Sequence, residues 1–139
     1  MYINSYAKIN LFLKIGRKLK SGYHNIQSVM QRIELMDKLS IDTINEDKII
    51  VGCTNKELEN EKNLAYKMAL SLKNKYKVKH GANIFIEKNI PLEAGLGGGS
   101  SNAATVLLSL NKLWGLKLKE RQLVEISSKV GSDVPFFIG

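Results

Sequence analysis

The 139-residue chain has one cysteine, two prolines and no apolar run long enough to cross a bilayer as a helix. A single Cys53 excludes an internal disulfide and suits a reducing compartment, and the thiol reads as a packing residue rather than a nucleophile. Polar residues already stand within the first five positions, which argues against a secretory leader; with no membrane span, a soluble cytoplasmic protein is predicted. No repeat, low-complexity tract or Pro/Ser-rich linker divides the chain, so residues 1–139 are predicted to be one domain, large enough to bury a real core. Acid is scarce: 13 Asp and Glu stand against 21 Lys and Arg, a net charge of +8 that admits a phosphate-bearing partner, nucleotide or nucleic acid. The lysines of 67–79 and 112–119 fall on the polar sides of helical patterns or in their connections, where solvated surface is predicted. No aromatic ladder or RNA-binding signature accompanies them, so neither a nucleic acid nor a membrane is the predicted partner.

Glycine, in contrast, is concentrated. Pro91 to Thr105 reads PLEAGLGGGSSNAAT, with Gly95, Gly97, Gly98 and Gly99 followed by Ser100 and Ser101. Backbone N–H groups can converge on phosphate oxygens in such a loop, and a helix N-terminus directly after it favours negative charge. No lysine follows the glycines, so the loop is not a Walker A, and its glycine spacing is not the dinucleotide fingerprint. Upstream, Ala82 to Glu87 alternates like a strand that Pro91 ends; downstream, Ala103, Val106, Leu107, Leu110 and Leu113 recur at helical spacing. A glycine turn held between a strand and a helix reads as a phosphate site rather than a linker.

Around it, Ala7 to Ile15 alternates with the period of a strand whose buried face would carry Ala7, Ile9, Leu11, Leu13 and Ile15. Lys8 and Asn10 then share the opposite face, which for an isolated strand would point to water. A polar turn over 17–22 precedes a strand-like stretch running to about Met36, and Leu39–Ile41 and Lys48–Val51 read as short strands. Asn63–Leu72 reads as a helix with Leu64, Met68 and Leu72 buried and Asn63 as a candidate cap. Lys119–Val130 reads as another, with Leu123, Val124 and Ile126 inward and Gly131 as its stop, and Asp133 beyond it reads on its own as a cap or turn former.

Residues 91–104 closely resemble the phosphate loop of the GHMP kinases, the small-molecule kinases that include galactokinase, homoserine kinase and mevalonate kinase. YAKINLFL over Tyr6–Leu13, GYH over Gly22–His24 and GSDVPFF over Gly131–Phe137 resemble one branch of that family, which phosphorylates the 2-hydroxyl of a cytidine-diphosphate-linked alcohol in non-mevalonate isoprenoid synthesis. The resemblance implies an α+β fold: a mixed sheet backed by helices, with a left-handed βαβ crossover near the phosphate loop where ordinary rules expect a right-handed one. It implies ATP as phosphoryl donor, held on Pro91, Gly95, Leu96, Gly97, Gly98, Gly99, Ser100 and Ser101, and Mg²⁺ on the phosphate oxygens, with Ser100 or Ser101 within reach of the metal or a phosphate. It implies that Asp133 contacts the acceptor hydroxyl and Lys8, that Lys8 and Asn10 face the acceptor, and that Asn63 and Lys88 lie near the nucleoside of ATP. Tyr23 would stack on cytosine and His24 would hydrogen-bond to its edge, a pairing suited to a flat ring with a donor/acceptor rim.

Two departures accompany the resemblance. Glu93 stands in the phosphate loop where small residues are usual, and its charge is tolerable only if it points to solvent; Asn102 stands where many members carry Asp. Family members also continue past the position of Gly139 into a second domain of comparable size. Residues 1–139 alone are therefore expected to catalyse weakly or not at all, to bind nucleotide less tightly and to tend to self-associate through Val134–Ile138.

Overall fold

The computed structural model describes residues 1–18 and 24–139, with side chains described for 1–11 and 29–139. Four strands form one mixed sheet in the order β1-β2-β4-β3. Strands β1 (Tyr2–Lys18) and β2 (His24–Ile44) make a long antiparallel hairpin; β4 (Gly81–Glu87) pairs antiparallel with β2 and parallel with β3 (Ile49–Cys53). Helix α1 (Leu64–Lys75) carries the chain between the parallel strands β3 and β4, and is the crossover of the fold. Helices α2 (Gly98–Leu113) and α3 (Glu120–Val130) follow, then a short 3₁₀ turn at Val134–Phe137. The architecture is the expected α+β arrangement of a mixed sheet backed by helices.

In β4 the alternation is unbroken: Ala82, Ile84 and Ile86 are buried while Asn83, Phe85 and Glu87 are exposed. The buried face meets Met68 and Leu72 of α1 and Val106, Leu107 and Leu110 of α2, all fully buried in one core with Leu39, Ile41 and Cys53. In α1, Leu64 is half-buried, and Ala65 and Ala69 complete the inner stripe. In α3, Leu123 and Ile126 are inward, but Val124 is exposed because its neighbours at helical spacing, Glu120, Arg121 and Ser128, lie on the solvent side.

Strand β1 departs from the sequence expectation. Ala7 and Lys8 are both buried, while Leu11 is 57% exposed. The cause is a register shift between the pairs Tyr6↔Met36 and Lys8↔Arg32, followed by another between Asn10 and Phe12. Each irregularity turns the strand, so strict alternation is lost over Ala7–Leu11, where side chains are described. The stretch to Met36 and the short strand at Leu39–Ile41 are likewise one continuous β2. Lys73 is also not the solvated residue expected of its lysine-rich segment: it is buried, donating to the carbonyl of Val78 and pairing with Asp47, and so fastens the end of α1 to the β2–β3 turn.

After β3 the chain turns through a 3₁₀ segment at Lys56–Leu58, and Glu59 folds back. Its carboxylate accepts from the Cys53 N–H at 2.8 Å and from Lys56 Nζ at 3.1 Å. These two donors hold the Glu59 carboxyl below its ordinary value of 4.5. A depressed carboxyl stabilises the fold fully above its unfolded value and loses that contribution as pH falls through the folded one. The Cys53 amide resonance is therefore expected to titrate with a midpoint below 4.5, and Glu59→Gln to abolish the transition; an unchanged titration in the variant would sever the link.

Candidate active site

The glycine loop leaves β4 at Glu87 and enters α2 at Gly98, with Gly97 as the N-cap in left-handed backbone at φ 70°. The first helical bond is donated by the Ser101 N–H to the Gly97 carbonyl at 2.8 Å. Among the described residues, the N–H groups of Gly95, Leu96, Gly97, Gly98, Gly99 and Ser100 have no acceptor. Loop amides without partners, ahead of a 16-residue helix, have the chemistry of a seat for an anion. Glu93 adopts φ 56° and is exposed, so its charge lies toward solvent as the resemblance required.

Lys8 is built into this seat. Its N–H donates to the Leu96 carbonyl at 2.9 Å, and its stem runs beside Gly97. The residue is 5% exposed, yet its ammonium has neither hydrogen bond nor ion pair among the described residues. A long stem buried along the loop with an unspent charge at its tip fits a cation held for an anionic ligand. Phe137 packs on the other side of Gly97, which brings the turn at Val134–Phe137 to the loop; Gly131 approaches Ser100 and Leu64.

Asp133 precedes that turn. It is half-buried and stands at the N-cap position of that turn, and its side chain makes no capping bond. Lys8 and Asp133 are not joined by an ion pair among the described residues, although both belong to segments packed on Gly97. Asn10 is exposed further along β1. Tyr23 lies outside the described residues, and so does the side chain of His24.

Of the remaining residues singled out in the sequence, Asn63, Ser101 and Lys88 are engaged. Asn63 caps α1 by accepting from the Ala65 N–H at 2.9 Å, while its amide donates to the Leu58 carbonyl at 3.0 Å. Ser101 is 2% exposed and shares a 2.8 Å hydrogen bond with Ser5 Oγ, which leaves Ser100, half-buried and unbonded through its side chain, as the hydroxyl available to a ligand. Lys88 Nζ donates to Asp37 Oδ2 at 2.5 Å and to Asn102 Oδ1 at 3.2 Å beneath Gly98. Asp37, absent from the sequence reading, is fully buried, and Asn102 Nδ2 donates both to it at 3.0 Å and to Ser5 Oγ at 2.9 Å. Among the described residues no cluster of three His, Cys, Asp or Glu is placed to hold a metal ion, and no helix is long and apolar enough to cross a membrane.

Comparison with known proteins then decides the family. The GHMP kinases N terminal domain matches residues 63–139, more than half of the chain. The chain belongs to the GHMP kinase family. Among relatives of this GHMP domain, the 4-diphosphocytidyl-2-C-methyl-D-erythritol kinase of Clostridioides difficile is 49% identical over 137 residues, covering 98% of this chain and 46% of the relative. The kinase of the same name from Prochlorococcus marinus strain AS9601 is 46% identical over 138 residues, 98% of this chain and 44% of its own length. A crystal structure of 4-(cytidine 5'-diphospho)-2C-methyl-D-erythritol kinase superposes with a TM-score of 0.82 at 33% identity, covering 99% of this chain and 48% of that one. A mevalonate kinase structure superposes at 0.67 with 18% identity, covering 94% of this chain and 46% of its own, which establishes shared fold alone. The chain spans about half the length of the curated relatives it matches. GHMP kinases use ATP, and the open amides of Gly95–Ser100 and the Lys8 ammonium are of the right chemistry for its phosphates.

Proposed function

We propose that residues 1–139 form the N-terminal, ATP-binding domain of a kinase that phosphorylates the 2-hydroxyl of 4-diphosphocytidyl-2-C-methyl-D-erythritol. The observation that carries this is the packing of the Lys8 stem and of Phe137, from the turn led by Asp133, on Gly97 in a loop whose amides are unpaired among the described residues. Relatives bearing that enzyme's name match along nearly the whole chain, and the sequence Gly22-Tyr23-His24 supplies the ring and imidazole that a cytosine would need.

In this reading the amides of Gly95–Ser100 bind the ATP phosphates, with Pro91 shaping the loop. Lys8 neutralises charge on the transferring phosphoryl group, Asp133 orients the acceptor hydroxyl and accepts its proton, and Asn10 lies on the acceptor side. Mg²⁺ would add charge neutralisation at the phosphates, with Ser100 as the side chain placed to reach it. Asn63 and Lys88, committed to a helix cap and to Asp37, would act on ATP by shaping the walls of its site.

A coupled ADP-release assay tests the reading with a panel of alcohols, run on the 139-residue chain and on a version carried to the relatives' full length. Turnover by the full-length version, and weak or no turnover by the 139-residue chain, is expected with the cytidine-diphosphate-linked erythritol and not with mevalonate or homoserine; preference for either of those would overturn the assignment. Tyr23→Ala is expected to weaken binding of the cytidine compound by about 1–3 kcal/mol through lost stacking, with ATP affinity little changed. Calorimetry showing equal losses for both ligands would assign the effect to damaged folding.

A further inference from the structure

We infer that Asp37 is a positioning residue that sets the starting geometry of the phosphate loop. Its carboxylate sits at 0% exposure in β2, and each oxygen accepts two hydrogen bonds. Oδ1 accepts from the backbone N–H groups of Asn89 at 2.7 Å and Ile90 at 2.8 Å, the first turn of the loop after β4. Oδ2 accepts from Lys88 Nζ at 2.5 Å and from Asn102 Nδ2 at 3.0 Å, the latter at the start of the second turn of α2. One carboxylate thus holds both ends of the loop, and the Lys8 N–H to Leu96 carbonyl bond holds the segment between them. Ser101 and Asn102 are tied in turn through Ser5 to β1.

The donor count makes the arrangement directional. Four donors face Asp37, so an amide in its place would turn an NH₂ group toward either the loop N–H groups or Lys88 and Asn102, whichever way it was flipped. Asn102 fits this polarity: its NH₂ donates to the carboxylate while its carbonyl accepts from Lys88. A carboxylate at both positions would place like charges side by side around one ammonium. An exchanged pair, Asn at 37 and Asp at 102, restores part of the complement: the new amide keeps its carbonyl toward the loop N–H groups and donates to the new carboxylate, which accepts from Ser5 and takes over Lys88, whose ammonium must then move off position 37.

The consequence for affinity rests on the loop's being the ATP seat; the consequence for loop geometry does not. The test is backbone amide exchange and ATP titration followed by NMR on the 139-residue chain, below the melting point of every variant. Asp37→Asn should raise exchange at Asn89 and Ile90, shift the amides of Gly95–Ser101 and weaken ATP binding, each rate or affinity by about tenfold, the scale of one hydrogen bond to a charged group. The exchanged double variant D37N/N102D should recover part of both losses. Lys73→Met supplies the control for lost stability: it removes the pairing of buried Lys73 with exposed Asp47 at the far end of α1, about 14 Å along the helix from Leu64, and should leave the loop amides and ATP affinity unchanged. If Asp37→Asn does not fold, wild-type exchange in mild denaturant decides: Asn89, Ile90 and Ser101 should open as one unit with one free energy. Unaltered exchange at Asn89 and Ile90 in D37N, no recovery in the exchanged variant, an equal effect of K73M, or separate opening of Ser101 would each overturn the inference. A version carried to the relatives' full length that fails to bind ATP would sink the functional reading, while the exchange results would still decide the role of Asp37.

Discussion

Asp133→Asn is expected to lower phosphoryl transfer about a hundredfold or more at saturating substrate, the usual scale for removing a positioned acid/base group, while ATP affinity and melting temperature hold. The structure separates these outcomes in advance. Among the described residues the Asp133 side chain neither caps the turn it precedes nor pairs with Lys8, so its charge holds none of the contacts that pack the turn. The turn itself is held by backbone bonds, the Phe136 N–H donating to the Asp133 carbonyl at 3.2 Å and the Ile138 N–H to Pro135 at 3.1 Å. An isosteric amide keeps those bonds and removes only the proton acceptor. In a loose transition state the proton leaves late, so the deficit should lie in the transfer step, visible as a slow single turnover on enzyme carried to the relatives' full length. Near-normal single-turnover rates would take Asp133 out of the mechanism.

What could be read from sequence follows from how local the determining contacts are. The loop was legible because its signal is contiguous: a strand with clean alternation, glycines, then a helical stripe whose Ala103, Val106, Leu107 and Leu110 are all buried. Strand β1 was misread because its irregularities depend on pairing with β2, whose register is not written in either strand alone. Asp37 was missed for a related reason. A lone acid between Met36 and Leu39 interrupts an apolar pattern and splits β2 into two apparent pieces, when it is the most buried ionisable group on that strand. Its partners Lys88 and Asn102 are 51 and 65 residues away, so no window of sequence contains them. Its one visible signal is the break it makes in the pattern: a charge inside an apolar strand needs buried partners, and the nearby loop rich in amide donors supplies them.

Gly97→Ala and Gly95→Ala should differ sharply although the two glycines share one backbone conformation, at φ 70° and 71°. Both substitutions incur the left-handed penalty of a side chain, about 1–2 kcal/mol. At Gly95 a Cβ would meet nothing within 4 Å, so that penalty is the whole effect. At Gly97 the same atom would lie 3.0 Å from Lys8 Cγ, 3.0 Å from Phe137 Cζ and 3.3 Å from Lys8 Cε. Neither neighbour can swing away freely, since Lys8 and Phe137 are each 5% exposed, and overpacking of this kind adds about 1–3 kcal/mol. Relief would come by pushing Lys8 away from the loop, or by pushing out the Leu96 carbonyl that its N–H holds, and either movement disperses the amides gathered for the phosphates. Gly97→Ala is therefore expected to destabilise by about 2–5 kcal/mol and to abolish measurable ATP binding at concentrations that saturate the Gly95→Ala chain. Thermal melting paired with calorimetric titration of the two variants measures the difference, and equal behaviour at the two positions would show that the contact of Lys8 and Phe137 on Gly97 does not organise the site.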